Sequence, residues 1–242
     1  ERKDGQVWAA AGGLPRLTGV GPVPGDERLS GLAAQLEARV KAEMVPDGSH
    51  DIGHLRRVCR TALNIAAEEG GDPEILVAAA YLHDLVNLPK DHPDRALAST
   101  RSAQAARAHL IALGFTLAQQ DAIAHAIAAH SFSAGITPET LEARILQDAD
   151  RLDALGAIGV ARCFYVAGQM RSALFDAEDP QALHRAPDDT RFALDHFETK
   201  LYPVAEALLT PAARRIAATR VTRMRGYVDA LLSEIDPNQI NF

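Results

Sequence analysis

The stretch AAAYLHDLVN, residues 78–87, decides how the chain is read. Its apolar run predicts a helix bound for a core, with a histidine and an aspartate side by side at its centre. Ionisable side chains are rarely fully buried unless they are paired or bind a metal. His83 and Asp84 therefore need partners from elsewhere in the chain. Adjacent helical positions point about 100° apart, which still lets both reach one ion from two sides.

The rest of the chain suits such a core. Of its 242 residues, 47% are hydrophobic but only 5% aromatic, and alanine supplies much of the difference. Alanine is the strongest helix former, so a mainly helical fold is expected. The length suffices to bury a sizeable core. A formal charge of -7 argues against a dedicated binder of nucleic acid or anionic membrane. Cys59 and Cys163 form no metal-binding or disulfide pattern, so both read as reduced structural residues and a cytoplasmic location is expected. No apolar run reaches the length of a membrane span, and no signal peptide is visible.

Residues 1–27 contain AGGLPRLTGVGPVPGDE and are expected to form an extended or poorly ordered arm. Residues 28–242 are expected to form one helical domain, with its motifs at about 50–155 and C-terminal helices at about 191–235. Leu29, Leu32, Leu36, Val40 and Met44 recur at helical steps. Ile52, Leu55, Val58, Ala62 and Ile65 do the same within a second helix, Asp51 to Glu69. Asp72 and Pro73 are predicted to cap and open the helix that carries the first stretch as far as NLPKDHPDR. Further helices are predicted at about 96–113, 116–131 and 138–155, with breaks at Gly114 and Gly135. Thr137 is the expected cap of the last, with Pro138 and Glu139 in its first turn. The apolar 156–170 reads as helix, the Asp- and Pro-rich 176–190 as a loop or lid, and 191–209 and 211–235 as two closing helices.

Two further segments share the polar-in-apolar placing of the opening stretch. They supply His54 in HDIGHLRRV and Asp150 in ILQDADRLDALG, while His130, in AAHSFS, falls near the end of its expected helix. Two imidazoles and two carboxylates suit one divalent cation, which would offset the penalty of burying them. Asp148 is a competitor for Asp150 and faces nearly the opposite side of the helix. His50 and His54 form an i, i+4 pair, but Asp51 stands where a zincin motif has glutamate.

The ordered set HDIGHLRRV, AAYLHDLVNLPKDHPDRALAS, AHAIAAHSFSAG and ARILQDADRLDALGAIGVAR resembles the HD-domain superfamily of metal-dependent phosphohydrolases, and within it a bacterial YedJ-like subgroup, over about residues 30–235. The resemblance implies an all-α HD-domain helical bundle with a metal site between helices. It implies His54, His83, Asp84 and Asp150 as ligands of one divalent ion (Mn, Mg, Fe, Ni, Co or Zn), and so favours Asp150 over Asp148. The implied substrate is a small phosphorylated molecule, a nucleotide, cleaved at a phosphoester or phosphoanhydride bond, with nucleoside triphosphate pyrophosphohydrolysis as one form. Asp84 is then the expected proton acceptor. Lys90, Arg95, Arg57 and His130 are expected to bind the phosphate and offset its charge. Asp153, one turn past Asp150, is expected to orient a ligand or water. Phe132, Phe164 and Tyr165 are the aromatic side chains available to stack on a base, although core positions are the simpler expectation for them. A homodimer is compatible with the sequence, and no stable nucleic-acid or membrane partner is expected. Two rival readings remain: a dinuclear-iron oxygenase using His109, His125 and His130, and a non-enzymatic nucleotide-sensing HD module, which would be expected to have lost ligands.

Overall fold

The computed structural model describes residues 26–43, 51–88 and 92–235. Most of the expected N-terminal arm, His50 and Lys90 lie outside the described residues. The α-helices are α1 (Glu27–Glu43), α2 (Ile52–Glu69), α3 (Pro73–Leu82), α4 (Ala98–Ala112), α5 (Leu117–His130), α6 (Leu141–Asp153), α7 (Gly156–Met170), α8 (Tyr202–Glu206) and α9 (Pro211–Ile235). The fold is all-α, as expected. The described residues contain no strand, only an isolated bridge between Ala173 and Phe192. None of these helices is long and apolar enough to cross a membrane.

α3 is the axis of the bundle. Asp72 caps it by accepting hydrogen bonds from Glu74 N and Ile75 N, and Pro73 opens its first turn, as the sequence predicts. Every residue from Ile75 to Leu82 is buried. A helix apolar on all sides must be enclosed by others, and α1, α2, α4, α5 and α6 all pack around this one. α7, α8 and α9 lie beyond α6, and one continuous apolar cluster extends from Leu29 to Met224. Cys59 and Cys163 are buried within it as thiols and are not joined in a disulfide, and burial pushes the Cys59 thiol up to about 12.

The structure corrects three boundaries. α3 stops at Leu82, so His83 and Asp84 occupy its C-terminal edge and not its middle. Ser102 of α4 accepts the Val86 N–H, drawing the chain out of the helical path just past the pair. α6 begins after Thr140, whose hydroxyl accepts Ala143 N, so Thr137 is not the cap. His125 accepts the Glu139 N–H and Arg144 donates to the Pro138 carbonyl, which holds that segment outside the helix. The expected helix 191–209 is broken into a turn, a π-helical turn at Phe197–Leu201 and the short α8. Pro203 cannot donate to the Thr199 carbonyl, and the wide turn precedes it.

Candidate metal centre

Three helix ends bring the imidazoles together. His54 lies in the first turn of α2, where Asp51 caps by accepting His54 N at 2.8 Å. A Cβ on Gly53 would stand 3.1 Å from Asp51 Oδ1 and 3.2 Å from Arg57 Nη1, so glycine leaves room for the cap. His83 is the C-cap of α3 and His130 the last residue of α5. All three histidines are buried.

Each ring is held by its Nδ1. His83 donates to the Ala80 carbonyl at 2.9 Å, His130 to the Ile127 carbonyl at 2.6 Å and His54 to Asp153 Oδ2 at 2.7 Å. A carbonyl only accepts, so Nδ1 carries the proton and Nε2 is left as the lone-pair donor. The Nε2 atoms of His54 and His83 are 3.3 Å apart. Asp84 Oδ2 is 3.4 Å from His83 Nε2 and 3.7 Å from His54 Nε2, and Asp150 Oδ1 is 3.9 and 3.5 Å from the same two atoms. Two donors each about 2.1 Å from an ion lie about 3.0 Å apart at a right angle and about 3.4 Å at the tetrahedral angle. The 3.3 and 3.4 Å spacings match such edges, and the other three are longer by a few tenths of an ångström. Two overlapping groups meet the geometry for a metal ion, His54 with His83 and Asp150, and His83 with Asp84 and His130.

The B. subtilis protein YpgQ is 30% identical to this chain over 208 residues, 84% of this chain and 93% of the relative. Residues 51–155 match the HD domain. The chain belongs to the HD-domain family. Its fold is similar to the crystal structure of YpgQ in complex with ADP, at a TM-score of 0.68 and 29% identity, covering 86% of this chain and 97% of that one. An HD-superfamily hydrolase from Bacillus thuringiensis gives 0.65 and 26%, covering 86% and 96%.

In this HD domain the electrostatics follow from crowding. Burial alone would lower the His83 pKa, but Asp84 and Asp150 outweigh it and push it up to about 9. A divalent ion would compete with that proton for the same lone pair. Burial would raise the Asp84 carboxyl, yet the charge and hydrogen bond of His83 hold it well below the usual carboxylate range. Burial, then the charge on His83, lowers the pKa of His130.

Behind His54 stands a second layer. Asp153 is 3% exposed. Besides His54 it accepts Arg57 Nε and Nη2 at 2.7 and 2.9 Å and Arg162 Nη1 at 2.9 Å. Burial opposes its ionisation, but the bonds from His54 and Arg57 hold it far below the ordinary carboxylate range. Partners beyond the metal ligands fix ring orientation and tune affinity. Arg57, expected to meet phosphate, directs its guanidinium at Asp153. Nothing local in the sequence signalled Arg162.

The other expected residues divide clearly. Asp148 points away from the cluster and accepts Leu209 N, Thr210 N and the Thr210 hydroxyl, closing the start of α9. The Thr210–Pro211 pair was the available signal for that helix start. Arg95 donates to Asn87 Oδ1 at 3.1 Å and to the Leu88 carbonyl, on the loop that follows the HD pair. His109 faces Glu43 and His125 accepts from Glu139 N, so neither joins the cluster. Phe164 packs against Phe197 and Tyr227. Tyr165 and Phe132 are exposed, at 43% and 82%, contrary to the core positions expected of both.

Proposed function

We propose that this chain is a divalent-metal-dependent phosphohydrolase acting on nucleotides. The observation that carries the reading is the convergence of His54, His83 and His130 Nε2 with Asp84 and Asp150, each ring held by its Nδ1. His54, His83, Asp84 and Asp150 would hold the cation. When bound, the ion supplies positive charge to a phosphoryl oxygen and makes water more acidic.

The chain's own residues handle the proton and the anion. Asp84 presents Oδ2 to His54 and His83 and turns Oδ1 towards His130, 3.8 Å away. Oδ1 would accept the proton that water gives up as its oxygen bonds to phosphorus and the bond from phosphorus to the leaving oxygen breaks, that oxygen departing with the electron pair. The Nε2 lone pair of His130 offers a second acceptor at the same place. Arg95, steadied by Asn87 and Leu88, offsets charge on the non-bridging oxygens, and Lys90, close to it in sequence, would add to that charge. Arg57 acts through Asp153. The ADP complex of YpgQ supports a nucleotide as the substrate class.

Phosphate and pyrophosphate release over a panel of nucleotides, with metal analysis on the same preparation, tests this reading. Metal-dependent release should be abolished in His83→Ala and in Asp84→Ala while the helical circular dichroism is retained. A fully active double variant would sink the proposal. Iron with oxygen consumption in place of phosphate release would favour the oxygenase. Tight nucleotide binding without turnover would favour the sensor.

A further inference from the structure

Phe132 is out of place for its chemistry. It is the most exposed of the large hydrophobic side chains among the described residues, at 82%. An exposed apolar residue is ordinary by itself, but the neighbours of this one are not. It opens the short 3-10 turn Phe132–Ala134, two residues after His130, so its Cα lies within about 7 Å of that residue's. The turn Arg95–Leu97, whose Leu97 is 47% exposed, packs against the turn that Phe132 opens. Arg151, the residue after Asp150, places its guanidinium 6.0 Å from the Phe132 ring centroid, near the outer limit of a cation–π contact. Among the described residues the Arg151 guanidinium donates to the Ala207 carbonyl at 3.3 Å, and no carboxylate lies within ion-pair distance of it. The ring thus stands on the turn that follows His130, with the Arg151 guanidinium on one side, and is otherwise open to solvent.

We propose that Phe132 is the stacking platform for the base of a nucleotide whose phosphates lie on the His54, His83, Asp84 and Asp150 cluster, with Arg151 positioning the ring. The inference rests on the nucleotide reading above and names how the base is held. Stacking tolerates every base, because each has a π-face. The platform therefore selects nucleotides over bare phosphates without choosing among bases.

Titration calorimetry on the Mn2+-loaded full chain, with ADP and with pyrophosphate, tests this apart from turnover. Phe132→Ala should weaken ADP binding by about tenfold or more and leave pyrophosphate binding as in the wild type, while Phe132→Trp keeps ADP binding. The side chain is exposed, so both variants should fold. Equal loss for ADP and pyrophosphate, or no loss for ADP, would overturn the platform. ADP binding that depends on Phe132, in a wild type that releases no phosphate, would uphold the platform and overturn the phosphohydrolase. Turnover indifferent to Phe132 would do the reverse.

Discussion

Replacing Asp153 with asparagine keeps the shape of the side chain and removes its charge. The wild-type carboxylate accepts from His54 Nδ1, from Arg57 twice and from Arg162. An asparagine offers one oxygen and turns an NH2 group towards at least one of those donors. A hydrogen bond to a charged group is worth about 1.5–3 kcal/mol. The Arg57 and Arg162 side chains are 35% and 21% exposed, so water replaces part of what is lost. The net destabilisation should be about 2–3 kcal/mol. The effect on the metal is separate. His54 loses the charged acceptor that fixes its tautomer, and affinity should fall by about 10- to 100-fold. With metal in excess, a hundredfold weaker site removes about 2.7 kcal/mol of metal-dependent stabilisation. Calorimetric titration with Mn2+, together with thermal unfolding with and without the ion, reads both quantities. A variant that is less stable but binds Mn2+ with wild-type affinity would refute the orienting role.

Other changes separate structural acids from site acids. Asp148→Ala should cost about 2 kcal/mol in thermal or urea unfolding by uncapping α9, and Mn2+ titration should show affinity unchanged, whereas Asp150→Ala should lose affinity. Hydrogen bonding from Arg56 and Lys41 outweighs burial and lowers the Glu37 carboxyl below its ordinary 4.5. A depressed folded value means that its contribution is present above pH 4.5 and lost as pH falls through the lower value. Melting temperature should therefore fall less steeply with acid below that point in Glu37→Gln than in the wild type. The Tyr81 hydroxyl is buried without a hydrogen-bond partner among the described residues. Tyr81→Phe should leave stability unchanged or raise it by up to about 1 kcal/mol, as thermal unfolding would show.

Local signals carried the framework well. The 3.6-residue spacing of Leu55, Val58, Ala62 and Ile65 fixed α2, and Asp72–Pro73 fixed the start of α3, because caps and periodicity act within a few residues. The same locality misled at Thr137, where a plausible cap was overridden by Arg144 and His125 reaching back onto the segment. It also hid the end of α3, which depends on Ser102, a residue of the next helix. The positions of His54, His83, Asp84 and Asp150 were legible as an ordered set, and the structure places each of the two carboxylates within 4 Å of both the His54 and the His83 Nε2. The partnership of Asp153 with Arg57 spans 96 residues, and no spacing rule addresses such a pair. Phe132 was visible as an aromatic residue, but its exposure follows from how two short turns meet.

Two of the imidazoles sit where helices stop, His83 closing α3 and His130 ending α5. Each helix C-terminus carries about half a negative charge from its aligned peptide dipoles. Together with Asp84 and Asp150, these ends add negative charge at the point where His83 and His130 present their rings. Such a field draws in a cation and repels a free phosphate. On the metal reading the ion would bind ahead of the polyanion, and nucleotide affinity should rise with metal occupancy in a titration that varies both.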